Sequence, residues 1–300
     1  MNLFDKLVTE ALQKQTTTPM LRPVIEKELL HHDIIRVMSK EGLLKDLTFM
    51  GGTCLRACYG AQRLSEDLDF TGGVHFQKKD LESLASTISK RLQEKYELEI
   101  VVSEPTREEG NTKTWKIKIQ TTPERKDLPS QRITIDICTI PSYQHQPMTL
   151  INPYGIEMGT NGLIIQCESR EEILLDKIVA FALRPNRIKN RDLWDIAWLQ
   201  QQGIQLPLEL SFKKIGDHNQ DKTVFIDTLK TRIDELENGP DHKESFYNEM
   251  IRFLPLNIVT NTLQQEEFWP YIVSQTSEAS KKVIEHLSGN TKNASRFPMS

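Results

Sequence analysis

The chain is poor in cysteine: Cys54, Cys58, Cys138 and Cys167 are the only four in 300 residues. So sparse a set cannot staple a small disulfide scaffold, and a chain of this length can bury a core without one. Cys54 and Cys58 share one face of an expected helix, which is half of a zinc site. No His or Cys pair at ligand spacing stands elsewhere to complete it. Long apolar runs are also missing. No stretch approaches the roughly 18 apolar residues of a membrane span, and Asp5, Lys6, Glu10 and Lys14 interrupt the first fifteen residues. The expectation is a soluble cytoplasmic protein with no membrane partner. Nor does one sign of charge dominate: 38 Lys and Arg stand against 42 Asp and Glu, a formal net charge of -4. That balance is wrong for a protein that coats nucleic acid without selection, so any such contact must come from a local basic patch.

What is present is strong periodicity. From Glu26 to Lys40 the apolar residues Leu29, Leu30, Ile34, Ile35 and Val37 recur at helical spacing. Leu47 to Met50 reads as a short strand running into Gly51, Gly52 and a helix from Thr53 to Tyr59. Asp67 to Thr71 reads as a second strand, followed by an amphipathic helix from Lys79 to Lys95. Three alternating runs come next, at 97–103, 114–120 and 132–140. In the last, Ile133, Ile135 and Ile137 take one face and Thr134, Asp136 and Cys138 the other. This order predicts a mixed sheet with helices packed on it. After about Glu168 the strand signal fades. Helices are expected at 171–183, 191–201, 223–236, 243–253 and 275–287, with a loose tail from Gly289. The reading is an α+β domain over 1–165 and a mostly helical C-terminal domain over 166–300, approached through the Pro-rich connection 141–153.

The chemistry is concentrated at Phe49-Met50-Gly51-Gly52-Thr53 and, fourteen residues after Gly52, Asp67-Leu68-Asp69-Phe70. Residues two apart on a strand point the same way, so Asp67 and Asp69 share a face. Two like charges that close are costly unless a cation sits between them, and hard carboxylate oxygens suit magnesium. Glycines before a helix let backbone approach a phosphate, and the helix N-terminus offers free N–H groups. A phosphate cradle beside paired carboxylates is what phosphoryl transfer requires. Asp136, set among isoleucines, is a candidate third metal ligand or general base; a salt bridge to Arg132 or Lys118 is the structural alternative.

The segment from Gly51-Gly52-Thr53-Cys54-Leu55-Arg56 to Arg63-Leu64-Ser65-Glu66-Asp67-Leu68-Asp69-Phe70 resembles the first motif of the AbiEii/AbiGii toxin family. That family, which includes the MenT toxins, lies in the polymerase-β-like nucleotidyltransferase superfamily. The gap between glycines and aspartates is longer than the superfamily's usual one, as in the AbiEii branch. A second block, from Glu171-Glu172-Ile173-Leu174-Leu175-Asp176-Lys177 to Arg191-Asp192-Leu193-Trp194-Asp195, resembles the family's downstream Lys and Arg-Asp-x-x-Asp motifs. The matching covers roughly 45–200.

The resemblance implies a polymerase-β-like fold and a magnesium-dependent nucleotidyltransferase that moves a nucleotide from an NTP to an acceptor such as the tRNA 3′ end. It further implies a toxin role and a cognate antitoxin. Asp67, Asp69 and Asp136 are the expected metal ligands, and with Lys177 and Asp192 the expected catalytic set. Gly51, Gly52, Thr53, Arg63, Ser65 and Lys177 are the expected nucleotide contacts. Lys177 is open to a second reading as a lysine whose stem covers the core, and Ser65 as a turn hydroxyl. Arg184, Arg187, Lys189 and Arg191 form either an RNA-backbone contact or a solvated helix start. Trp194, Ile196, Ala197 and Trp198 read as helix packing, and His31, His32 and His145 as surface residues. The rivals are a same-fold transferase acting on a small molecule or a protein, and a nucleotide-binding protein without chemistry.

Overall fold

The computed structural model describes residues 2–15, 19–106, 110–124 and 129–289; the tail beyond Gly289 lies outside them. The chain forms two compact units, one of Met1–Ser169 with Ile251–Asn261, the other of Arg170–Met250 with Thr262–Ser300.

The first unit is built on a seven-stranded mixed sheet. Its elements are α1 (Leu3–Gln15), α2 (Arg22–Lys40), β1 (Thr48–Met50), α3 (Gly51–Tyr59), β2 (Leu68–Thr71), α4 (Leu84–Tyr96), β3 (Ile100–Ser103), β4 (Thr112–Ile119), β5 (Gln131–Cys138), β6 (His145–Thr149) and β7 (Ile164–Glu168). The strands lie in the order β3-β4-β5-β2-β1-β7-β6. The β2–β5 and β1–β7 pairs are parallel and the others antiparallel. Alternation decides which side is the core: Trp115, Ile117, Ile119, Ile133, Ile135, Ile137, Leu68 and Phe70 are all buried on one face. Residues between them, such as Thr114, Lys116, Thr134 and Asp136, point to the other.

Helix α2 is buried along most of its length, which corrects one expectation: His31 and His32 are core residues, 3% and 5% exposed. His145 is exposed at the sheet's end. The Pro-rich connection also holds a strand, β6, whose Pro147 is tolerated because β6 is the outermost strand.

The second unit is helical: α5 (Arg170–Leu183), α6 (Asn190–Gln201), α7 (Ser211–Asp217), α8 (Lys222–Asn238), α9 (His242–Met250) and α11 (Phe268–Leu287); α10 (Leu256–Asn261) belongs to the first unit. Asp221 caps α8, accepting from the amides of Thr223 and Val224. Trp194 is buried against Phe268, ring centroids 5.7 Å apart, and Ile196 and Ala197 are buried with it. No helix among the described residues is long and apolar enough to cross a membrane.

Candidate active site

The turn from β1 into α3 depends on glycine. Gly51 has φ of +73°, in the left-handed region, and a Cβ built on it would lie 2.9 Å from Asp69 Oδ2. The bare backbone therefore lies directly against the Asp69 carboxylate, at the N-terminus of α3 where unpaired N–H groups collect. Gly51→Ala would carry both a left-handed strain of about 1–2 kcal/mol and a clash that displaces Asp69. Displacements on the order of 1 Å at a reacting site cost about 100-fold. Nucleotide transfer by Gly51→Ala should fall by about that factor, with the melting temperature lowered by only a few degrees; steady-state kinetics and calorimetry on one preparation would check both.

Parallel pairing sets Asp69 of β2 opposite Asp136 of β5. Adjacent strands are about 4.8 Å apart, so the two half-buried carboxylates face the same small volume. Asp67, just before β2, accepts from the Thr134 amide at 3.0 Å, which fixes it beside β5. Thr114 donates to Asp136 Oδ1 at 2.5 Å and Thr134 to its Oδ2 at 3.3 Å, so two hydroxyls orient that carboxylate. Thr114 is a site residue that sequence reasoning missed; its alternation with buried Trp115 was the available signal. Carboxylates of hard oxygen on adjacent strands, backed by glycine, have the chemistry that a divalent cation such as magnesium takes.

Thr53, Arg63 and Ser65 lie behind this row, all buried. The Thr53 hydroxyl bonds Ser65 Oγ and the Asp67 carbonyl, tying α3 to the start of β2. The Ser65 amide donates to Glu28, which also accepts from Arg56 and Tyr154. Arg63 donates to the Leu64 carbonyl. His31 Nε2 donates to the Glu66 carbonyl at 2.9 Å, and burial lowers its pKa to about 4 against the raising effect of that bond. His31 and Glu28 thus brace the segment that delivers Asp67, a role no local spacing announces.

Lys177 and Asp192 lie in the second unit. Lys177 Nζ sits 2.5 Å from Asp192 and 2.9 Å from Asp195, and Arg184 is 3.1 Å from the other oxygen of Asp192. Burial pushes the Asp192 carboxyl up, but Lys177, Lys189 and Arg184 outweigh it and hold the group well below the ordinary aspartate range. The neighbouring basic cluster is not a solvated helix start. Arg184 is paired to Asp192, Arg191 to Glu249, and burial lowers the pKa of Lys189; of the four only Arg187 is exposed.

The half zinc site acquires a third thiol. The sulfurs of Cys54, Cys58 and Cys167 lie within 4.8 Å of one another, with Cys58 and Cys167 at 3.4 Å. All three are buried, and burial raises the Cys54 thiol well above its ordinary value. The Cys167 thiol moves the other way, lowered to about 5 by its hydrogen bonds to Cys54 and Cys58.

Among solved structures, MenT4, a nucleotidyltransferase toxin of Mycobacterium tuberculosis H37Rv, has a TM-score of 0.53 at 11% identity, over 95% of this chain and 98% of that one. JHP933 of Helicobacter pylori is 16% identical over 89% of this chain and 94% of that one, with a TM-score of 0.45. No curated protein matches the chain. The family model described as "Nucleotidyl transferase AbiEii toxin, Type IV TA system" matches residues 33–269. That span covers most of both units, and the chain therefore belongs to the AbiEii family of nucleotidyltransferase toxins of type IV toxin–antitoxin systems.

Proposed function

We propose that the protein transfers a nucleoside monophosphate from an NTP to the 3′ end of tRNA in the cytoplasm, with magnesium as its metal, and that a cognate antitoxin protein restrains it. The observation that carries this reading is the register of Asp69 with Asp136, beside Asp67 and against the bare backbone of Gly51. Gly51 and Gly52 offer the triphosphate free amides at the start of α3. Asp67, Asp69 and Asp136 would hold magnesium, which when bound neutralises charge on the phosphates. The acceptor hydroxyl attacks the α-phosphorus, a new P–O bond forms as the α–β bond breaks, and pyrophosphate leaves. Asp136, oriented by Thr114 and Thr134, is placed to take the hydroxyl proton if it is not itself a ligand. Thr53, Ser65 and Arg63 act by bracing this turn. Lys177, held by Asp192 and Asp195, is assigned to the phosphates.

The test is transfer of label from each of the four α-labelled NTPs to total bacterial RNA with magnesium, for wild type and Asp67→Ala. Labelled RNA of tRNA size, absent with the variant, is the expected result. Label on protein or a small molecule would overturn the acceptor; label nowhere would overturn the activity.

A further inference from the structure

The row of carboxylates continues into a row of cations. On the face opposite the core, Thr114 of β4 stands against Asp136, Lys116 against Thr134, and Lys118 against Arg132. The edge strand β3 adds Ser103 opposite Lys116 and Val101 opposite Lys118. Lys116, Lys118 and Arg132 are exposed, and among the described residues none of them enters a salt bridge. Several other cations of this unit are paired: Arg56 to Glu28, Lys95 and Arg36 to Asp33, and Lys27 to Glu66. The alternative of an Asp136 ion pair with Arg132 or Lys118 does not occur. Arg132 is four residues along β5 from Asp136, roughly 13 Å, and Lys118 is opposite Arg132.

The arrangement has a cost that folding does not explain. Lys118 and Arg132 are direct cross-strand neighbours, and like charges so placed are destabilising. Lysines do guard open sheet edges, but β4 and β5 lie inside the sheet order and have no edge to guard. A polyanion lying on the face removes the repulsion. Position identifies the polyanion. Two residues along a strand are about 6.7 Å, so the cations begin one step from the carboxylates, where the acceptor hydroxyl must sit, and continue for a second step. Exposed Glu99, on the same face beyond Val101, ends the strip.

We infer that Lys116, Lys118 and Arg132 form the track that holds the backbone phosphates of the single-stranded 3′ end of the acceptor RNA. This rests on the RNA-acceptor reading above. It places the RNA contact on the sheet of the first unit, whereas the cluster around Arg184 and Arg191 is occupied by its own carboxylates.

The test compares wild type with Lys116→Gln/Lys118→Gln/Arg132→Gln, using the full chain and a labelled RNA hairpin with an unpaired 3′ end. Each phosphate contact to a single strand contributes a slope of about -0.7 in log K against log salt, so the triple variant should flatten the slope by about 2. Affinity near 0.1 M salt should fall at least tenfold, and KM for RNA should rise more than kcat falls. The charge-keeping variant Lys116→Arg/Lys118→Arg/Arg132→Lys should retain the wild-type slope. A triple Gln variant with native melting temperature and an unchanged slope and KM would sink the track while leaving the RNA reading intact. An unchanged RNA slope with lost antitoxin binding would assign the face to the protein partner instead. Wild type that labels no RNA would remove the acceptor reading, and the track with it.

Discussion

Asp69→Asn should abolish nucleotide transfer and leave the protein slightly more stable. The two effects have one cause. Asp69 stands opposite Asp136 across a parallel pair, with Asp67 just before the same strand, so like charges are neighbours on half-buried backbone. Cross-strand repulsion of this kind costs roughly 0.2–1 kcal/mol. Asparagine keeps the shape and most of the hydrogen-bonding capacity of aspartate while removing the charge. Relief of the repulsion should raise the melting temperature by roughly 0.4–4 °C for a unit of this size. The reaction, by contrast, needs that charge. Loss of about 4 kcal/mol of electrostatic stabilisation corresponds to about 10³-fold in rate, and transfer should fall at least that far. Label transfer and calorimetry on one preparation separate the readings. A carboxylate kept for structure would lose stability on substitution, and an idle one would lose neither stability nor activity. Only a charge held for chemistry at the expense of the fold gives opposite signs.

That reasoning starts from features readable in the chain because they are local. Asp67 and Asp69 are two residues apart, Gly51 and Gly52 precede an apolar helix, and Asp136 alternates with isoleucines. Period-2 patterning also marks β4 and β5, which are long and covered on one side only. The strands that escaped are the ones that lack such patterning. All of β6 but Met148 is exposed and it contains Pro147, while β7 is five residues long and opens on exposed Ile164. The start of α11 was hidden in the same way by Pro270, which sits in the first turn, where its missing N–H has no consequence.

The bracing of the site was illegible for a different reason. Glu28 reaches Ser65, Arg56 and Tyr154 across separations of 28 to 126 residues, and His31 reaches Glu66 across 35. A pair of histidines on a helix says nothing about a carbonyl that folding brings to one of them. Cys167 is the third thiol of the core cluster and lies 109 residues from Cys58. Charge was misleading in the opposite sense. The dense run from Arg184 to Arg191 invites an RNA reading, yet Arg184 and Arg191 are paired to carboxylates, while the spaced Lys116, Lys118 and Arg132 are drawn together only by strand register.

The largest expected effect on stability lies at Asp192. It is buried and holds two cations, Lys177 on one oxygen and Arg184 on the other, and Asp195 also holds Lys177. Removing one partner of a buried pair strands the other, at about 3–5 kcal/mol. Asp192→Ala should therefore cost that much. The same pair fixes a pH dependence. The folded carboxyl is held below its ordinary value of 3.8, because the three neighbouring cations outweigh burial. A depressed group stabilises the fold fully above its unfolded pKa, and the contribution is lost as pH falls through the folded one. Protection of α5 and α6 amides against hydrogen exchange should thus weaken progressively below about pH 4 in the wild type, and much less so in Asp192→Ala, which has already lost the linkage. If Lys177 serves only this network, Lys177→Met should lower stability while the KM for NTP stays at its wild-type value. If it also meets the phosphates, that KM should rise at least tenfold, the value expected when about 1.4 kcal/mol of ground-state binding is removed.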